Sequence, residues 1–96
     1  MIQLIGDQLI VQGSLTMDTA ALMYLKTANM MPSNRHIQLN LQKIKQSDSA
    51  SLAYLTALLR CAKAKQTHLT FIHVPPQMLD LAKVSGLTSW LPFSQE

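Results

Sequence analysis

The sequence predicts an α/β fold with helices packed on a small mixed sheet, and three observations carry that expectation. Two stretches of strand composition, residues 36–41 and 68–74, each follow a segment with helical spacing of apolar residues. The amino-terminal run is instead two short apolar stretches separated by Gly6-Asp7, the pattern of a hairpin. Apolar residues make up 48% of the 96-residue chain against 14% charged, enough for one core and too short for two, so residues 1–96 read as a single domain. The implied order is β-β-α-β-α-β-α. Successive strand–helix–strand units make the last three strands parallel, with the first antiparallel to the second.

Residues 2–5 and 8–12 form the hairpin, with Gly6 at a turn position suited to positive φ. Gly13-Ser14-Leu15-Thr16 closes the second strand, and Thr16 or Asp18 caps the first helix. That helix spans residues 17–29 and carries Ala21, Tyr24, Leu25 and Ala28 on one face at i, i+3, i+4, i+7. Met30, Met31 and Pro32 end it, and Ser33-Asn34-Arg35 is a polar turn. His36-Ile37-Gln38-Leu39-Asn40-Leu41 alternates polar and apolar as a strand with unequal faces, and residues 43–47 connect it to the next helix.

The central helix opens at Gln46-Ser47-Asp48-Ser49-Ala50-Ser51, where small hydroxyl and carboxylate side chains precede a long helical run to about Lys65. Leu52, Leu55, Leu59 and Ala62 form its core stripe. No charge interrupts the run before Arg60, whereas a helix on an open sheet usually shows a charged back. Subtracting the core stripe leaves Ala50, Tyr54, Ala57 and Cys61 outward, a flat strip of small residues with one tyrosine on which another protein can pack. Coverage by the following helix is the alternative. Residues 68–74 then form a strand that Pro75-Pro76 terminates. Pro76 suits the first turn of a helix over residues 77–84, and Gly86 sits where an αL cap belongs. Leu87, Trp90, Leu91 and Phe93 are too apolar for a free tail and fold back as a closing turn.

Several function classes fall away on composition. The net charge of +3 comes from 8 Lys+Arg against 5 Asp+Glu, and the densest cluster, Arg60, Lys63 and Lys65, sits at a helix end whose dipole it complements. No aromatics interleave with it, so no nucleic-acid partner is expected. The single cysteine, Cys61, excludes an internal disulfide and a cysteine-rich zinc site. No signal-peptide pattern opens the chain and no apolar run nears the roughly 18 residues of a membrane span, so a cytoplasmic protein without direct membrane insertion is expected. His36, His68 and His73 lie in or beside strands, far apart in sequence and without zinc-protease spacing, so no metal or cofactor is expected. With no glycine-rich phosphate loop and no elbow glycines around Ser49, the chain reads as a non-enzyme.

Ser49 is the residue with a second reading. A serine at a helix start is first of all an N-cap, as Asp48 beside it also is, contributing on the order of 1 kcal/mol. A phosphate there is favoured by the helix dipole, yet it puts roughly −1.5 to −2 charge on an otherwise neutral contact surface. Ser49 is thus a candidate phosphorylation site.

These residues resemble the STAS domain family, which includes anti-sigma-factor antagonists, the cytoplasmic tails of sulfate transporters and the small MlaB-type component of the Mla phospholipid transporter. Gly13-Ser14-Leu15-Thr16 stands where the family has Gly-x-Leu-Asp after the second strand. Ser47-Asp48-Ser49-Ala50-Ser51-Leu52 aligns with its Asp-Ser/Thr-x-Gly-Leu signature, and Leu81-Ala82-Lys83-Val84-Ser85-Gly86-Leu87 with its late helix and Gly-Leu. Ser51 replaces the signature glycine, and Gln42-Lys43 stands where an acidic residue is common. Together with the charge-poor central helix and the Leu91-Pro92 ending, this looks more like the MlaB type than a sigma-factor switch. The resemblance implies a STAS-like fold and a subunit that binds the ATPase of an Mla-type phospholipid ABC transporter. Such a subunit supports the transporter's assembly or activity in maintaining outer-membrane lipid asymmetry, and is peripheral to the inner membrane through the complex. It implies partner contact at Asp48, Ser49, Ala50, Ser51, Ala53, Tyr54, Ala57 and Cys61. The alternative is an anti-sigma-factor antagonist switched by phosphorylation at Ser49; a small ligand bound at the same helix start is a third reading.

Overall fold

In the computed structural model, which describes residues 1–89 and 91–94, the chain runs through strands β1 (Ile2–Ile5) and β2 (Gln8–Leu15), helix α1 (Ala20–Met30), strand β3 (His36–Ser47), helix α2 (Ala50–Ala64), strand β4 (His68–Ile72) and helix α3 (Pro76–Val84). The four strands lie in sequence order in one sheet. β1 pairs antiparallel with β2, and β2/β3 and β3/β4 are parallel, as the element order requires. Gly6 turns the hairpin at φ 58°, a left-handed conformation that costs a residue without Cβ little.

Alternation puts Leu9, Val11, Ile37, Leu39, Leu69 and Phe71 into the core, where they meet Met23 of α1, Leu52, Leu55 and Leu58 of α2, and Met78 and Ala82 of α3. The alternate sheet positions carry Gln8, Ile10, Gln38 and Thr70, with Gln8, Gln38 and Thr70 as cross-strand neighbours. Helix α2 packs between α1 and α3.

Three sequence expectations shift. First, β3 does not end at Leu41 but continues to Ser47, through the residues read as a connection. Between Ile10 and Gln12, and again between Gly13 and Ser14, the β2/β3 register slips with the extra residue on β3. Each bulge breaks the two-residue period, so alternation stops being a guide. At the first bulge Asn40, nearly buried, accepts the Gln42 N–H on Oδ1 at 2.9 Å and donates Nδ2 to Gln8 Oε1 at 3.2 Å.

Second, α1 begins at Ala20 and its N-cap is Thr19, neither Thr16 nor Asp18. Thr19 Oγ1 accepts the Thr16 N–H at 3.0 Å and donates to the Ser14 carbonyl at 2.8 Å, tying the loop back onto β2. The core side of α1 is Met23 and Thr27, while Leu25 is 58% exposed. Thr27 reads as polar in sequence, yet its hydroxyl is fully satisfied inside the protein, so it belongs to the buried stripe.

Third, the buried arc of α2 is wider than its leucine stripe. Ser51, Tyr54 and Leu58 are buried with Leu52, Leu55 and Ala62, and Leu59 is only half-buried. A helix flanked on two sides by other helices buries more than the face it turns to the sheet.

The carboxy-terminal segment folds back. Leu91 is buried, and Phe93 bridges to Phe71 with ring centroids 5.8 Å apart. Trp90 lies outside the described residues. No helix among the described residues is long and apolar enough to cross a membrane.

Candidate functional site

Three adjoining features meet where β3 hands the chain to α2. Asp48 comes first. Its Oδ1 accepts the Ala50 N–H at 2.8 Å, satisfying one of the free donors of the helix start, and its Oδ2 accepts the Met17 N–H at 3.1 Å. One carboxylate therefore caps α2 and holds the loop that enters α1. The Asp48 carbonyl in turn accepts the Ser51 N–H at 3.0 Å and the Ser51 hydroxyl at 2.8 Å.

Ser49 occupies the N-cap position but makes no side-chain cap hydrogen bond, because Asp48 has taken that role. Its side chain is exposed at the outer corner of the helix start. Of the two serines that follow Asp48 in the motif, Ser49 therefore presents a hydroxyl outward. Ser51 is fully buried.

The third feature is an open groove of about 390 Å³ between α1 and α2. Ala50, Ala53, Tyr54 and Ala57 line it from α2, and Met17, Ala20, Ala21 and Tyr24 from the α1 side. The lining is apolar, and small residues let another chain approach the α2 backbone closely. Met17, at 81% exposed, stands at the rim.

Tyr54 requires a correction. The sequence placed it on the outward strip, whereas only 2% of its surface is exposed and its hydroxyl lies 2.8 Å from Thr27 Oγ1 in the α1/α2 contact. Burial pushes its phenol up from 10.0 to about 12. Tyr54 thus walls the groove from within. Of the other residues read as partner-facing, Ser49 and Ala53 are exposed, Asp48, Ala50, Ala57 and Cys61 are half-buried, and Ser51 is buried. Sequence reasoning missed the α1 half of the groove. Its signal was present in the Ala21, Tyr24, Leu25, Ala28 stripe, of which Ala21 and Tyr24 line the groove while Leu25 faces the surface.

Lysine 65 also differs from its expected role. It does not merely complement its own helix: its ammonium donates to the Ala28 and Met31 carbonyls, both at 2.9 Å, closing the end of α1.

The comparisons with known proteins agree on the architecture. A family model described as "Mlab, STAS domain" matches residues 2–92. A crystal structure of a candidate anti-sigma factor antagonist from Thermotoga maritima superposes with a TM-score of 0.75 at 13% identity, covering 99% of this chain and 85% of that one. The anti-sigma factor antagonist SpoIIAA, in its unphosphorylated form, superposes with a TM-score of 0.70 at 14% identity, covering 100% of this chain and 88% of that one. A search of the curated proteins returned no match. At such identities the two structures speak for the fold, whereas the family match spans nearly the whole sequence: this chain belongs to the STAS domain family of the MlaB type.

Proposed function

We propose that this chain is a non-enzymatic STAS subunit that binds the ATPase of an Mla-type phospholipid ABC transporter and supports its assembly or activity. Through that contact it would work at the inner membrane, peripheral to it, in maintaining outer-membrane lipid asymmetry. The observation that carries the reading is the uncharged, alanine-lined groove beside an exposed Ser49, on a protein of the MlaB type. The contact set is Ser49, Ala50, Ala53 and Ala57, with Cys61 further along the same helix. Asp48, Ser51 and Tyr54 shape the surface from behind rather than offering their polar groups to a partner.

Titration calorimetry of this chain against the ATPase subunit of such a transporter tests the reading. Ser49→Glu and Ala53→Arg put charge on exposed positions and are expected to leave the melting temperature within a few degrees of wild type. Each should weaken binding by roughly tenfold or more, since a charge desolvated against an apolar partner costs over 1 kcal/mol. Unchanged affinity in both variants would remove the proposed surface.

A second reading rests on the free Ser49 hydroxyl: an anti-sigma-factor antagonist switched by phosphorylation at this serine. Incubation with a serine kinase and ATP, followed by intact-mass and fragment-ion analysis, should locate a single phosphate on Ser49. Phosphate at another residue, or none, would count against the switch.

A further inference from the structure

The histidines that the sequence separates by 31 intervening residues are brought together by the sheet. His36 opens β3 and His68 opens β4, and the two are paired in register on adjacent parallel strands. Side chains at paired positions leave the same face, and the rings stand with centroids 4.8 Å apart and planes inclined by 42°. Both are exposed, in a depression of about 340 Å³ that Asp7, Gln38 and Thr70 also line. The neighbouring guanidinium of Arg35 is engaged by the Asp7 carboxylate and the Gly6 carbonyl, which offset its charge beside the rings.

We propose that His36 and His68 form a two-imidazole site for a divalent late-transition-metal ion, with water completing the coordination. The ring geometry supports this. Imidazole nitrogen sits about 2.0–2.1 Å from such an ion, so with each ring centre roughly 1.1 Å beyond, two neighbouring ligands at about 90–110° hold their centroids roughly 4.5–5.2 Å apart. The observed centroid spacing of 4.8 Å falls inside that window. Imidazole pairs suit Cu²⁺, Ni²⁺ and Zn²⁺, and the order of affinities favours Cu²⁺. Among the described residues no group of three or more histidine, cysteine or acidic side chains could hold a metal, so this is an open, solvent-accessible site rather than a closed structural one. It lies at the start of β3, the opposite end of that strand from the α2 groove, and does not depend on the proposed partner.

The test uses the untagged full chain. Titration with Ni²⁺ alone, by calorimetry in a non-chelating buffer at neutral pH, should give one site of micromolar affinity. His36→Gln and His68→Gln should each weaken it by roughly tenfold or more, because one imidazole cannot chelate. His73→Gln, at a separate position, should leave it unchanged. In the wild-type protein, substoichiometric Ni²⁺ should broaden the amide signals around residues 36 and 68 before any others. Absence of binding, affinity unchanged from wild type in either the His36 or the His68 variant, or broadening centred elsewhere would overturn the proposal.

Discussion

Thr27 has one hydroxyl proton, and it goes to the Met23 carbonyl at 2.7 Å, so the 2.8 Å contact with Tyr54 is made by the phenol donating. Two polar side chains thereby lock α1 to α2 without leaving a buried group unpaired. The arrangement requires a neutral phenol. Because burial raises the Tyr54 pKa from 10.0 to about 12, the folded state resists ionisation that the unfolded chain undergoes near 10. This contribution is complete below pH 10 and is lost as the pH climbs to about 12, an effect on the order of 2 kcal/mol. Tyr54→Phe should cost about 1 kcal/mol at neutral pH, and should show a shallower loss of stability between pH 10 and 12 than wild type in urea titrations. Equal slopes in the two proteins would assign the alkaline transition to other groups. At this scale the sequence pointed to the right motif and misjudged single side chains. It gave Asp48 and Ser49 equal claim to the cap, and only the reach of Asp48 to both the Ala50 and Met17 amides decides between them.

Helices α2 and α3 end in the same way. After α3, Gly86 at φ 72° lets the Leu87 N–H reach the Ala82 carbonyl at 2.8 Å and the Gly86 N–H reach Lys83 at 3.1 Å. After α2, Thr67 bonds Ala62 at 2.8 Å and Gln66 bonds Lys63 at 3.0 Å, but the left-handed residue is Gln66 at φ 57°. A residue with Cβ is strained there by about 1 kcal/mol, and Gln66 is exposed. Gln66→Gly is therefore expected to stabilise the protein by roughly 0.5–1 kcal/mol, read as a higher urea midpoint with unchanged slope. A lower midpoint would show that the Gln66 side chain contributes more than its backbone strain costs. The Gly86 cap was legible because glycine announces it. The equivalent cap at Gln66 was not, since nothing local marks a glutamine that tertiary closure forces into that conformation.

Across the whole molecule the two sheet edges differ. The outer edge of β4 is covered by residues 92–94: Phe71 donates its N–H to Pro92 and accepts that of Ser94, at 3.0 and 2.9 Å. At the other end β1 has β2 on one side and no further strand on the other among the described residues. The tail therefore seals the edge beside Phe71, the largest fully buried side chain. Phe93→Ala should lower stability by roughly 1–2 kcal/mol and hasten hydrogen exchange at the β4 amides, with little effect at β1. Uniform acceleration over the sheet would mean that the tail is not a local clamp. The same view explains the exposed Met17, Leu22 and Leu25, which lie on or beside α1 away from the core. Helix α1 has its deep side satisfied by Met23 and Thr27, so its apolar outward stripe adjoins the groove instead of filling the interior.

The sequence alone determined the element order, the hairpin, the Pro76 helix start, the Gly86 cap and the family, because these depend on backbone preference and on period, which neighbours a few residues apart express. Strand β4 instead stops at Ile72, short of the expected boundary at Pro75, and His73 after it turns left-handed at φ 53°. Tertiary structure decided the rest: that β3 carries on through two bulges, that Tyr54 turns inward, that Lys65 closes the adjoining helix, and that His36 meets His68. Burial and hydrogen-bond partnership belong to pairs of residues distant in the chain. Which side of a helix is covered is settled only when the neighbouring helix takes its place.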